Sequence, residues 1–272
     1  DYDADLRIGD NPILSQSDRV IGHLLHLSTM ECPTLSKSWF TLAGWCYKWG
    51  RKSVDNASHG SVELLTDEKA EILSLLPKGT SNEETNKVLT VLSQIHTTFS
   101  SEEDISEDQN EIDEGAETTR KQLLACCLSL QIASEDCIDK LLNVWKCVVQ
   151  RVYHYYQLSA KSYFTYLQLN GERTDSDEDG NVIGTLRLLR LLVKHAWELR
   201  NVLEPGLAKT PTAPWKGIIP QLFSRLSHPE LYVRQSVSDL LCRVAHDAPH
   251  LIVYPSVVGS SSFKSDSKDS SS

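Results

Sequence analysis

Hydrophobic positions along this chain recur every three to four residues in segment after segment, and nowhere alternate over a useful length. That period belongs to a helix with one buried face, whereas a half-buried strand repeats at every second residue. The longest case spans 134–169. Ile138, Leu141, Leu142, Trp145, Val148, Val149 and Val152 keep the spacing, and Tyr155, Tyr156, Tyr163 and Tyr166 extend it. Glu135 and Asp136 put negative charge at its positive end. Shorter helices are expected over 17–27, over 36–50 with Ser36 as cap and Gly50 as stop, and over 66–76 before Pro77. Another starts at Ser81, whose spacing to Glu84 is that of a capping box. Further helices are expected over 117–132 and over 185–203, the last closed by Glu204-Pro205-Gly206.

After a Pro/Thr loop over 209–214 comes the densest pattern, Trp215 to Gly259. Ile218, Ile219, Leu222, Phe223 and Leu226 make one amphipathic helix, and Ser227-His228-Pro229 breaks it. Val233, Val237, Leu240, Leu241, Val244 and Ala245 make a second, Asp247-Ala248-Pro249 breaks again, and Leu251 to Tyr254 open a third apolar segment. A pair of short amphipathic helices cannot bury its faces alone and stacks on neighbours. The expected fold is therefore all-α: an α-solenoid of antiparallel helix pairs, like TPR or HEAT repeats, forming a single array over 1–259. Two acidic stretches, at about 100–114 and 170–184, are too poor in apolar residues to pack and are expected as disordered inserts. Residues 260–272 are expected as a disordered Ser-rich linker. Ser101 and Ser106, each followed by carboxylates, suit phosphorylation by an acidophilic kinase.

Composition narrows the function classes. The chain has 272 residues, a formal net charge of -10 and a pI near 5.4, which argues against direct binding to nucleic acid. No apolar run approaches the roughly 20 residues of a membrane span. The N-terminus is acidic, unlike a signal peptide, and lacks an initiator Met, so a fragment of a longer protein is expected. Seven cysteines, most on apolar helix faces, fit reduced thiols in the cytoplasm and nucleus better than disulfides.

Candidate chemistry is sparse. Asp175 to Val182 imitates the start of a calcium-binding EF-hand loop, with carboxylates at positions one, three and five and Gly180 at six. The twelfth position, which should hold a bidentate Glu, is Leu186, so an acidic surface turn is expected and no metal site. His23, His26 and Cys32 lack a fourth zinc ligand. Cys126-Cys127 has no activating base near it in sequence. A glycine-rich phosphate loop, an Asp-Phe-Gly and a His-Arg-Asp-like catalytic loop are all missing, so no catalytic residue is expected in the segment. Trp39, Phe40, Trp45, Tyr47 and Trp49 read as bulky side chains locking two helices together. Lys48, Arg51 and Lys52, with Lys37 upstream, read on their own as cations compensating a helix C-terminus at Gly50.

The wording of the densest stretch carries a resemblance. Ile219-Pro220-Gln221-Leu222, Arg225-Leu226, His228-Pro229, Pro249-His250-Leu251 and Tyr254-Pro255 resemble the C-terminal part of the FAT domain of phosphoinositide 3-kinase-related protein kinases. Ser38-Trp39-Phe40 and Gly184-Thr185-Leu186-Arg187-Leu188-Leu189 fit the same scaffold. Within the family the wording is most similar to the branch acting in nonsense-mediated mRNA decay. The resemblance implies a helical scaffold that cradles and regulates the kinase domain of its own polypeptide, beside other helical repeats and regulatory protein subunits. It implies a parent Ser/Thr kinase acting on an RNA helicase at Ser/Thr-Gln sites, with ATP and a divalent metal confined to the kinase domain. Some relatives hold inositol hexakisphosphate in a basic FAT pocket, which makes Lys37, Lys48, Arg51 and Lys52 candidate ligands for it, and Arg187, Arg190 and Lys194 a second set. The competing reading is a free-standing helical adaptor that binds peptides or partner helices in a groove.

Overall fold

A computed structural model describes residues 13–59, 62–95, 111–171 and 177–253, with backbone alone over 111–114. The described residues are helical and contain no strand. In chain order the helices are α1 (Gln16–Glu31), α2 (Ser36–Ser58), α3 (Thr66–Leu75), α4 (Asn82–Ser93), α5 (Glu111–Cys126), α6 (Leu128–Gln131) and α7 (Glu135–Gly171). They continue with α8 (Glu178–Lys194), α9 (Arg200–Lys209), a 3-10 helix (Ala213–Ile218), α10 (Ile219–Phe223) and α11 (Leu231–Asp247). The all-α, helical-repeat class expected from the periodicity is the class observed. The packing divides into two compact units at Arg19/Val20, Trp45/Cys46 and Tyr156/Gln157, so α1, α2 and α7 each contribute to both.

In the first unit, the N-terminal half of α7 is the common partner. α3 runs antiparallel to it: Cys137 Sγ donates to the Leu75 carbonyl at 3.1 Å, and Arg151 grips Glu68 about two α3 turns away. That grip is bidentate. Arg151 Nε and Nη2 each reach a Glu68 oxygen at 2.9 Å, and Nη2 also donates to the Glu63 carbonyl at 3.0 Å. Glu68 in turn accepts from the Leu65 amide at 2.8 Å, so one carboxylate both starts α3 and pins α7. Trp145 Nε1 donates to the Gln94 carbonyl at the end of α4. The expected Ser81–Glu84 capping box is present, and Glu84 also accepts from the Leu128 amide at 3.0 Å.

In the second unit, α7 forms a hairpin with α8. Asn170 pairs with Asn181, Leu167 and Tyr163 face Gly184, and Tyr163 meets Arg187, which fixes an antiparallel register. The first half of α2 also runs antiparallel to α7, with Phe40 against Tyr163 and Tyr166 and the Ala43 carbonyl accepting from Ser159 Oγ at 2.9 Å. The 3-10 helix packs on α8 and buries Trp215, whose Nε1 donates to Thr210 Oγ1. Arg243 of α11 donates to the Leu207 and Thr210 carbonyls, satisfying acceptors that the end of α9 leaves open.

Five expectations fail for local reasons. The single helix expected through Ile218, Ile219, Leu222, Phe223 and Leu226 is a 3-10 helix ending at Ile218 followed by the short α10, and Leu226 lies in the turn beyond it, exposed. α2 does not stop at Gly50 but continues to Ser58, because Gly50 has no left-handed φ; its missing side chain makes room for Tyr156, whose Cδ1 would lie 2.5 Å from an added Cβ. The helix expected over 185–203 is two: α8 starts earlier, at Glu178, and the chain breaks at His195–Leu199, where Leu199 is wholly buried and Trp197 packs on Tyr232. Glu204-Pro205-Gly206 does not end a helix but lies inside α9. The carbonyl that Pro205 deprives of a donor belongs to Asn201, an exposed residue with water at hand, and Gly206 faces the Phe164 ring. The expected helix over 117–132 begins at Glu111 and breaks at the buried, extended Cys127.

The acidic inserts also change extent. Asn170 and Gly171 belong to α7 and Glu178 to Gly184 belong to α8; the first insert overlaps α5 from Glu111. Residues 96–110, 172–176 and 254–272, with Ser101, Ser106, Asp175, Tyr254 and the Ser-rich linker, lie outside the described residues.

Candidate functional site

Lys48, Arg51 and Lys52 stand on one side of α2 in the first unit, all exposed. Spacings of three and four residues bring them to neighbouring turns of one face. The Lys48 and Lys52 ammonium groups lie 5.1 Å and 4.6 Å from the Trp49 ring centroid, a cation–π arrangement on a single indole. Arg51 Nε lies 3.5 Å from Asp55 Oδ2. Because α2 runs on to Ser58, these cations are mid-helix and cannot compensate a C-terminus at Gly50, as the sequence suggested. Lys37 falls in the second unit, exposed in the first turn of α2. A polyanion such as inositol hexakisphosphate needs cations converging from several helices; the three in the first unit come from one.

The second basic set lies on α8. Arg187 is half-buried and committed: its Nη1 donates to the Tyr163 hydroxyl, and its guanidinium lies 5.7 Å from that ring's centroid. Gly44 makes the fit, since a Cβ there would stand 3.3 Å from Nη1. Arg190 and Lys194 are exposed, and Lys194 sits in the last turn, where the helix dipole favours a cation.

The EF-hand-like stretch is built differently from a calcium loop. Asp177 is the N-cap of α8 and accepts from the Gly180 amide at 3.0 Å. Glu178 to Leu186 are helical, so Gly180 sits in the first turn instead of turning a ligand loop. Asp177 also belongs to a polar cluster that closes the α7–α8 hairpin. Asn170 Nδ2 donates to Asn181 Oδ1 at 2.8 Å, and the Tyr166 hydroxyl lies 3.4 Å from Asp177 Oδ2. Burial and the Asp177 carboxylate beside it push the Tyr166 phenol well above its ordinary value. Periodicity could not have found this cluster, nor the Arg151–Glu68 grip across 83 residues of sequence.

Three of the thiols are held in the protonated, unreactive form. Burial raises the Cys46 thiol far above its usual range, and burial likewise raises Cys126 and Cys137. Among the described residues no group of three or more His, Cys, Asp or Glu could hold a metal ion, and no helix is long and apolar enough to cross a membrane. The aromatic cluster of α2 is structural: Phe40 packs on Tyr163 and Tyr166, Tyr47 lies 5.6 Å from Tyr156, and Trp39 Nε1 donates to the Pro33 carbonyl.

No protein-family profile matches the chain. It is similar to serine/threonine-protein kinase SMG1 of Danio rerio, 47% identical over 269 residues, covering 91% of this chain and 7% of that protein. The Smg1 kinase of Drosophila melanogaster is 36% identical over 265 residues, covering 90% of this chain and 8% of the kinase. For the smg-1 kinase of Caenorhabditis briggsae the figures are 27% over 248 residues, 89% and 9%. The chain thus resembles one segment of these kinases and spans less than a tenth of their length.

Proposed function

We propose that this chain is a non-catalytic helical scaffold within a large serine/threonine-protein kinase, cradling and regulating the kinase domain of the same polypeptide. The observation that carries the reading is the alignment. Nine-tenths of the chain matches inside proteins named as such kinases, yet spans under a tenth of each. The helix-only composition of the described residues and the missing phosphate loop and catalytic loop add to it. On the finer reading the segment belongs to a FAT domain of a phosphoinositide 3-kinase-related kinase of nonsense-mediated mRNA decay, in the cytoplasm and nucleus. Its parent phosphorylates an RNA helicase at Ser/Thr-Gln sites and carries regulatory subunits. Inositol hexakisphosphate would meet Lys48, Arg51 and Lys52, and Lys37, only with cations from further helices beside them. Charge reversal at Lys48 and Arg51 should then release it.

An antibody raised against these 272 residues tests the main reading by immunoprecipitation. The expected catch is a polypeptide several times longer that phosphorylates a Ser-Gln peptide, whereas the 272 residues alone transfer no phosphate from ATP. A captured polypeptide no longer than this chain, inactive on that peptide, overturns it in favour of the adaptor.

A further inference from the structure

α1 is amphipathic in the wrong sense. From Val20 to Glu31 it belongs to the second unit, and the residues it buries there are small: Gly22 and Thr29. Five of its six large apolar side chains face water, with Val20 54% exposed, Ile21 46%, Leu24 60%, Leu27 46% and Met30 49%, while Leu25 is half-buried. At 100° per residue, Val20, Leu24 and Leu27 fall within about 60° of arc, and Gly22 and Thr29 lie roughly opposite. Val20 to Met30 contains no Lys, Arg, Asp or Glu. This stripe is continuous over two turns, from Val20 to Leu27, and ends at Glu31, which falls on the same arc; an uncharged apolar stretch of this kind is the mark of a surface that another element covers.

We infer that the Val20–Leu24–Leu27 face of α1 is a docking surface for an amphipathic helix of the same polypeptide lying outside these 272 residues. The inference rests on the scaffold reading above, and it names the surface through which the segment joins its neighbours. Three observations select this occupant. The similar kinases carry more than ten times as much sequence, so most of such a polypeptide lies beyond the segment. The chain's own stretches outside the described residues are a poor match for an uncharged stripe: residues 1–12 hold four aspartates, 96–110 five carboxylates, and 254–272 are dominated by serine. Within the units, helices pair by apolar stripes of the same period, as α7 does with α8 and α2, so the chemistry the α1 face asks for is a further aliphatic helix face.

The test places the photocrosslinker benzoylphenylalanine at Leu24 in the full-length protein. Irradiation should join residue 24 to the apolar face of a helix encoded outside these 272 residues, on the same molecule. Mixing light and heavy isotope-labelled protein before irradiation separates an intramolecular link from one to a second copy. Adding Leu27→Glu should lower the yield at least tenfold. A link to residues 1–272, to a second copy or to a different protein overturns the inference, as does no link at all or a yield unmoved by Leu27→Glu. If the polypeptide proves no longer than this chain, the scaffold reading falls with it. If it is longer and residue 24 labels no outside helix, only the docking surface falls.

Discussion

Leu141, Trp145, Val148 and Leu167 of α7 repeat at helical spacing and lie in the core, whereas Val20, Leu24 and Leu27 of α1 repeat at the same spacing and face water. The difference is in the opposite faces. α7 has large side chains on several sides and meets α2, α3 and α8 with them, while α1 turns Gly22 and Thr29 inward and lets a small-residue contact fix its position. A helical period therefore identifies a face that needs covering, but it does not say whether the cover is already in place.

Substitutions can break or sharpen this contrast. The largest effect is expected for Leu167→Ala in α7, which empties a wholly buried site and should cost about 2–5 kcal/mol, read as a lower urea midpoint. A cost under 1 kcal/mol would mean that α7 is not the core of the second unit. Gly50→Ala comes next. An added Cβ would lie 2.5 Å from Tyr156 Cδ1 and 2.9 Å from its amide nitrogen, so overpacking of about 1–3 kcal/mol should exceed the helix-propensity gain of about 1. A stabilised variant would show that α2 and α7 can separate at Gly50 without loss.

A smaller effect is expected at half-buried His228, which tests the intermediate case. Burial lowers its proton affinity from the ordinary 6.5, and the positive charge of Arg225 adds to this. The unfolded chain then binds the proton better than the folded one. The stability this group contributes is present above about 6.5 and is lost as pH falls below it. The drop in Tm between pH 7.5 and 5.5 should shrink in His228→Gln, and equal drops in both proteins would refute it. The smallest effect should be that of Leu24→Ala in the 272-residue chain, under about 0.5 kcal/mol by the same urea measurement. A loss comparable to that of Leu167→Ala would show that the chain covers its own α1 face.

Much of the helical order was legible in the sequence, because buried faces impose their period wherever they occur. α7 was expected over 134–169 and found at Glu135–Gly171, and the Ser81–Glu84 box sits where its spacing placed it. Some errors fell on Gly and Pro signals, while the breaks at His195–Leu199 and at Cys127 carried no local signal at all. Gly50 and Pro205 both read as helix ends by local rules and both lie inside helices. Tyr156 needs the space at Gly50, and the Asn201 carbonyl can turn to water. The candidate cations were visible as residue types but not as an arrangement. Arg187 binds Tyr163, Lys48 and Lys52 share Trp49, and Lys37 belongs to a different unit from the other three.

What the sequence by itself determined is the class of the protein: helices from end to end of the described residues, a net negative charge, no catalytic-loop motif, and a wording shared with a segment of long kinases. Hydrophobic period and residue type are local properties, and they survive without any partner. Only the tertiary structure decided which faces meet. The Arg151–Glu68 grip, the Asn170–Asn181 clasp, the run of α2 past Gly50 and the outward stripe of α1 each depend on residues distant in the chain, or on the lack of them. Packing is a relation between two surfaces, and one sequence segment holds only one of them.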